Sequence, residues 1–386
     1  MFGRRLWGRW LAGFLGISAL LLAGCGDFFS PSGGGGGGGG TTVGSYTYVG
    51  TQSGVLVGYS VSSTGALATL SGFPNQFATA GINALAVTPN NAVLYAAVAG
   101  IGVYGLGINS STGATTLINT NALVQDVAPV ALTVDPSGQH LLVAGLANGV
   151  AAVGEYAINS DGTLSEVGGS PVSITFGAGT DTTNLAVTNI AVAPNSSYVF
   201  VTLGQLGVAP LPFNTSGSLS ANTQIIGPQA PNNIPNQDLG LAVNPTSSAL
   251  FVGETNVGVR VFTIGASSFT EISGSPFAAG GQPRSLTFDG TGDYLYAASA
   301  TDNAISGYSV LASGSLTPLS GSPFSSVGAQ PFALALDQSK KFLFSANLGG
   351  TPDLQLFSFD STTAGKLDPG ATATNATLAA AIASTH

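Results

Sequence analysis

Six times along the chain a short phrase returns: an apolar triplet, a turn and a second apolar run, as in Leu85-Ala86-Val87-Thr88-Pro89 followed by Val93-Leu94-Tyr95. Its copies lead with Leu132, Ile190, Leu241, Leu286 and Leu334, and the fifth residues of successive copies lie 47, 58, 51, 45 and 48 positions apart. That spacing matches one four-stranded propeller blade and exceeds the period of ankyrin or tetratricopeptide repeats. Each repeat reads as four strands: the Leu-x-Val phrase innermost (A), the following apolar run (B), a segment such as Gly307-Tyr308-Ser309-Val310 (C), and one such as Leu316-Thr317-Pro318-Leu319 (D). Turn formers Asp161-Gly162, Ser216-Gly217, Ser313-Gly314 and Thr363-Ala364-Gly365 sit between C and D, where a tight hairpin needs them.

Six inner strands do not mean six blades. Tyr46 to Gly50, Val55 to Val61 and Ala66 to Ser71 read as strands B, C and D with no inner strand before them, while Thr377 to Ala383 reads as an inner strand with nothing after it. Joining the two gives an all-β, seven-bladed β-propeller of four-stranded blades, closed by a C-terminal inner strand in the N-terminal blade, with no exposed sheet edge. The competing reading is a six-bladed ring with a short Ala-rich C-terminal helix. Charged residues make up only 6% of the chain, 56 residues are glycine, and no long stretch carries a 3.6-residue period, all of which suits short strands and tight turns.

The N-terminus carries a different signal. Arg4, Arg5 and Arg9 precede an apolar run from Leu11 to Ala23, and Leu22-Ala23-Gly24-Cys25 reads as a lipobox. The run is too short to span roughly 30 Å of hydrocarbon, so residues 1–24 are expected to be a cleaved lipoprotein signal peptide. Cys25 is then the lipidation site and residues 25–44, with eight consecutive glycines, a flexible tether to the propeller at 45–386. Cys25 is the sole cysteine, so no internal disulfide or thiolate metal cluster is available. Without the signal the chain keeps five basic against 17 acidic residues, a net charge of −12, which argues against nucleic acid and anionic lipid surfaces as partners. The expectation is a monomer in the bacterial cell envelope, attached to the outer membrane through the lipid on Cys25.

Tyr48-Val49-Gly50-Thr51, Pro283-Arg284-Ser285-Leu286 leading into Tyr294-Leu295-Tyr296, and Asp360 with Gly365-Lys366-Leu367 together resemble the lactonase-like seven-bladed propellers, which include bacterial 6-phosphogluconolactonase and the Tyr-Val-Thr-Asn surface repeats. The resemblance spans residues 45 to 386 and implies the propeller fold, with lactone hydrolysis as the corresponding activity. The motifs that would carry hydrolysis are mostly replaced: Pro129-Val130-Ala131 stands where a Pro-His-x-His loop is expected, Gly145-Leu146-Ala147 replaces an Asp-Leu-Gly, and Asp238-Leu239-Gly240 replaces a Pro-Arg-His. Glu254 echoes an Asn-Glu-Leu but falls one residue early, and a shift of one turns a strand residue to the other face. Only Arg284 stands where the pattern puts it.

Catalysis has few other candidates. Only His140 and His386 are available for a triad or a metal site; His140 enters a B strand as a packing residue, and no cofactor is expected. Gly100-Ile101-Gly102-Val103-Tyr104-Gly105 spells a dinucleotide fingerprint, but strand-like sequence follows it, so it reads as a B–C loop. The D–A and B–C loops share one face and collect Asp126, Asp181, Asp238, Glu254, Asp302 and Asp353 against Arg284, with the longest insertion at about Val172 to Thr188. If a catalytic pair exists it is Glu254 assisted by Arg284. The expectation is nonetheless a binding or interaction module for an envelope protein or carbohydrate, with a lactonase-type hydrolase second and an outer-membrane assembly factor third.

Overall fold

A computed structural model describes residues 45–214, 216–229 and 236–386; the signal peptide, Cys25 and the tether lie outside the described residues. The described residues form strands and turns, with no helix long and apolar enough to cross a membrane. The propeller occupies the compact unit Thr42–His386. Blade 1 consists, from the centre outward, of Ala379–Ser384, Ser45–Thr51, Val55–Val61 and Leu67–Thr69, so the C-terminal segment is the inner strand of the N-terminal blade, and the helix alternative falls. Tyr48 pairs with Ala383 and Val49 with Ile382 in that seam, and Tyr46 N donates to Thr385 Oγ1 at 3.0 Å.

The inner strands of blades 2 to 7 are Ile82–Val87, Ala128–Val134, Leu185–Val192, Asp238–Val243, Pro283–Phe288 and Pro331–Leu336. Each packs on the next, and the seventh packs on Ala379–Ser384, which closes the ring. The repeated phrase has a local cause. In five of its six copies the fourth residue is a side-chain acceptor that receives the backbone N–H five positions on, fixing the A–B turn, and only the Ile190 copy, with Ala193, lacks it: His140 N donates to Asp135 Oδ1 at 2.7 Å, Phe342 N to Asp337 Oδ1 at 2.7 Å, Tyr294 N to Asp289 Oδ1 at 3.0 Å, Ala249 N to Asn244 Oδ1 at 2.9 Å and Val93 N to Thr88 Oγ1 at 3.0 Å.

Buried tyrosines latch blades 1, 2 and 6 to their neighbours. Tyr48 donates to Gly113 O at 2.8 Å, Tyr95 to Gly162 O at 2.9 Å and Tyr296 to Gly365 O at 2.6 Å, in every case from strand B of one blade to the C–D turn of the next. The hydroxyl of a fully buried Tyr needs such a partner, and the turn carbonyl supplies it. Gly365 adopts φ 75°, and a Cβ there would meet the Tyr294 ring at 2.5 Å, so turn and latch both require glycine.

Two expectations need correction. Among the described residues blade 4 has three strands, Leu185–Val192, Tyr198–Gly204 and Val208–Pro212, with a bridge between Val208 and Ile226 in place of a fourth. Measured from the end of strand C to the next inner strand, the crossing from Ile158 to Leu185 is longer than that from Pro212 to Asp238, so the long stretch after Val172 lies where the repeat spacing puts it. The glycine-rich Gly100–Gly105 is only partly a loop: Gly102–Ile108 is strand C of blade 2. His140 packs as expected, buried and edge-on to Phe213 with centroids 6.3 Å apart.

Candidate functional site

All seven inner strands break register at the same place. In blade 2, Ile82 pairs with Val98 and Ala84 with Ala97, which leaves Asn83 as an extra residue. The same irregularity sets Arg284 apart between Pro283 and Ser285, Phe332 between Pro331 and Ala333, and Leu239 between Asp238 and Gly240. Val130, the segment before Asn189, and Ala380 complete the ring. A bulge re-aims its extra side chain. Here Asn83, Val130, Thr188, Leu239, Arg284, Phe332 and Ala380 all line one central cavity of about 410 Å³.

Six of the seven sit two residues before the leading apolar residue of their repeat, and Ala380 stands two before Ile382. The polar ones mostly tie blades together. Asn83 Nδ2 donates to Pro129 O at 3.0 Å, Thr188 Oγ1 to Asp238 O at 2.9 Å, and Leu334 N donates to Ser285 Oγ at 3.1 Å, each bond joining one inner strand to the next.

Arg284 is the exception. Its guanidinium lies over the Phe332 ring, 4.6 Å from the centroid, and it has no ion-pair or hydrogen-bond partner among the described residues. Burial pushes its pKa below the ordinary value, since nothing offsets the lost hydration. An arginine stays protonated even so. The cavity thus carries one positive charge, held by a cation–π contact and presenting unused N–H donors. No carboxylate or imidazole lines it among the described residues.

Glu254 occupies a different environment. It is fully buried at the end of strand B of blade 5, does not line the cavity, and accepts from Gln229 N at 3.0 Å and from Arg260 Nη1 at 3.2 Å. Arg260 also reaches Glu271 by two bonds, at 3.1 and 2.8 Å, and donates to Gly227 O at 2.9 Å. Asp238 sits opposite Glu254 in the ladder, and neither of its carboxyl oxygens has a hydrogen-bond partner among the described residues. Burial, then the charge of Glu254, pushes Asp238 up to about 8. Burial also raises Glu254, against the pull of Arg260. The group holds the blade 4 to blade 5 connection against blade 5, since Gly227 and Gln229 both belong to that connection. The pair expected from sequence is therefore split: Arg284 faces the cavity, and Glu254 anchors a loop behind it.

The other loop-face acids brace the structure locally. Asp126 accepts from Tyr156 Oη at 2.7 Å, Asp181 from Thr183 N at 2.9 Å and Asp302 from Gly281 N at 2.9 Å; Asp353 is buried. Among the described residues no three His, Cys, Asp or Glu side chains group as metal ligands would.

The sequence pattern of the seven-bladed β-propeller lactonase family matches residues 41–225 and 246–374. The chain belongs to that family. Among solved structures, this lactonase-family propeller is similar to a Bacteroides fragilis protein provisionally assigned as a 6-phosphogluconolactonase, with a TM-score of 0.70, 18% identity, and 91% of this chain and 100% of that one covered. A Bacteroides uniformis protein of the same provisional assignment gives 0.70, 17%, 89% and 100%, and a periplasmic gluconolactonase of Pseudomonas aeruginosa gives 0.68, 17%, 89% and 99%. At such identities the structural likeness speaks for the fold. No curated protein matches the chain.

Within this lactonase-family member, the residues that sequence reading missed are Arg260 and Glu271, which complete the Glu254 cluster, and Asn83, Thr188 and Phe332, which share the bulge position with Arg284. The bulge residues carried a readable signal: their fixed place two before the leading residue of each repeat.

Proposed function

We propose that the central cavity binds a hydroxylated lactone and that Arg284 promotes its hydrolysis. The observation that carries this reading is the unpartnered guanidinium in a cavity of about 410 Å³, in a chain of the lactonase family. Water adds to the lactone carbonyl carbon, and the carbonyl oxygen becomes an oxyanion beside Arg284. The ring C–O bond then breaks and its oxygen takes the proton that the water gave up, leaving an open hydroxy acid that ionises. A fixed cation at the cavity wall stabilises such an oxyanion with little reorganisation, and removing one oxyanion donor costs about 10²–10³ in kcat. The purified protein is expected to open glucono-δ-lactone above the spontaneous rate, and Arg284→Ala to lose about a hundredfold while Glu254→Gln keeps the rate of whatever fraction stays folded. Equal turnover in Arg284→Ala and the unaltered protein would sink this assignment.

A second reading rests on the cavity wall itself, which offers no carboxylate or imidazole to serve as a general base. In that reading the propeller is a binding module for an envelope protein or a carbohydrate, with the ligand held at Arg284 and left intact. Calorimetric binding of a lactone or its acid without turnover would favour it.

In either reading, the chain acts at the cell envelope, held through a lipid on Cys25, with the outer membrane as the attachment site. The lipobox and the acidic propeller, which lacks a basic patch for anionic lipid, support this. Cys25→Ser is expected to move the protein from the membrane pellet to the soluble fraction, since acyl chains contribute about 0.8 kcal/mol per buried CH₂. Continued pelleting would refute attachment by lipid alone.

A further inference from the structure

Arg284 and Phe332 line two cavities. On their far side from the channel, between blades 6 and 7, lies a second space of about 430 Å³, bordered by Gln282, Thr301, Asn303, Gln330 and Leu348. Its walls are set by backbone bonds: Ala300 N donates to Gln282 O at 3.1 Å and Leu348 N to Gln330 O at 2.9 Å. Asn303 Oδ1 accepts from Gln330 N at 2.8 Å, which joins the B–C turn of blade 6 to the strand entry of blade 7. Gln330 is held at φ 56°, a left-handed conformation uncommon for glutamine, between these two bonds. Such a conformation persists only where the surroundings over-determine it, so this wall is preformed.

The lining chemistry is selective. Three side-chain amides and a hydroxyl supply both donors and acceptors, Leu348 and Phe332 supply apolar surface, and Arg284 is the only charge. Asp302, between the lining residues Thr301 and Asn303, is already occupied by Gly281 N and Ser299 Oγ. Amides beside an aromatic face suit a neutral group rich in hydroxyls. A phosphate at this end would need a second cation, because a single arginine cannot serve both the lactone carbonyl and a dianion.

We propose that this space is a second subsite, continuous with the central cavity through Arg284, that takes an uncharged sugar ring attached to the lactone. This rests on the lactone reading above and narrows its substrate class to aldonolactones bearing a neutral glycosyl group, as opposed to phosphorylated ones. Pockets of about 300–1,000 Å³ hold small ligands, and the two spaces together suit a two-ring ligand.

The test compares three stable acids by calorimetry on the intact protein: gluconate, cellobionate and 6-phosphogluconate, with turnover of glucono-δ-lactone and cellobiono-δ-lactone measured in parallel. Cellobionate is expected to bind about tenfold or more tighter than gluconate, the yield of one or two added neutral hydrogen bonds plus buried ring surface. Phosphogluconate is expected to gain no such advantage. Gln330→Gly removes the amide, and glycine accepts the positive φ, so the fold is retained; the cellobionate-to-gluconate ratio should fall several-fold. Ala329→Trp, which fills the space from its rim, should bring the ratio to about one. A ratio near one in the unaltered protein, or a preference for phosphogluconate, overturns the subsite. Absence of turnover with both lactones overturns the hydrolase reading alone, and the binding ratio still decides the subsite.

Discussion

Two arginines of this propeller lie on phenylalanine rings at almost the same distance, 4.7 Å for Arg260 over Phe262 and 4.6 Å for Arg284 over Phe332, yet burial leaves them in opposite states. Arg260 loses hydration and regains it from Glu271, Glu254 and the carbonyl of Gly227; burial alone would lower its pKa, but the carboxylates outweigh it and hold it above the usual value. Arg284 loses hydration with no such return and is lowered. The aromatic platform is common to both and therefore does not distinguish them. What differs is whether the fold supplies the counter-charge. A cation neutralised inside the protein belongs to stability, whereas one left without a partner at a cavity wall is suited to neutralising charge brought from outside.

The largest test of this contrast is Arg260→Met. It strands Glu254 beside Asp238 without a cation, and breaking a buried pair on one side costs about 3–5 kcal/mol. Urea unfolding should show that loss as a lower midpoint at unchanged slope. A variant within about 1 kcal/mol of the parent would mean that the cluster contributes little. Arg284→Met should do the reverse, leaving the unfolding midpoint within about 0.5 kcal/mol of the parent or raising it, because it removes an uncompensated half-buried charge. If it destabilises as much as Arg260→Met, Arg284 is a structural cation and the contrast collapses.

The cluster side of the contrast can also be sharpened by its pH dependence. Asp238 holds its proton up to about 8 in the folded chain, against an ordinary value of 3.8. Between those values the folded state binds more protons than the unfolded one, so this group makes stability fall as pH rises, and its contribution levels off above about 8. Asp238→Asn should flatten that slope and leave the variant more stable than the parent at pH 8 to 9, measured as melting temperature across pH 5 to 9. An unchanged slope would place the buried proton elsewhere in the cluster.

The blade architecture was legible because it is written as repetition. The acceptor of the A–B turn, the glycine of the C–D hairpin and the C-terminal inner strand all follow from a local phrase and are found where it places them, except in blade 4, which has Ala193 in place of the acceptor and keeps its Ser216-Gly217 turn signal without a full fourth strand. The central cavity was half legible. Its wall residues hold a constant place in the repeat, but a bulge has no signature in hydrophobic alternation, so Arg284 stood out only by resemblance. The Glu254 cluster was not legible at all. Asp238, Glu254, Arg260 and Glu271 lie on four successive strands, and they meet through the Asp238–Glu254 pairing and side chains reaching across blade 5, which no sequence spacing encodes.

The seam in blade 1 bears on how such a ring comes to exist in time. Tyr46 is bonded to a residue 339 positions downstream, so the first blade remains a sheet lacking its innermost member until nearly all of the propeller has been made and ordered. Contacts at such separation are slow to form, because the closure entropy must be met before they contribute. Six blades can stack in sequence as they emerge, but the ring becomes a circle only in one late event. Were the chain delivered across a membrane as an extended polypeptide, as proposed above, that event would serve as a completeness check, since a chain interrupted before the last strand keeps an open sheet edge in its first blade.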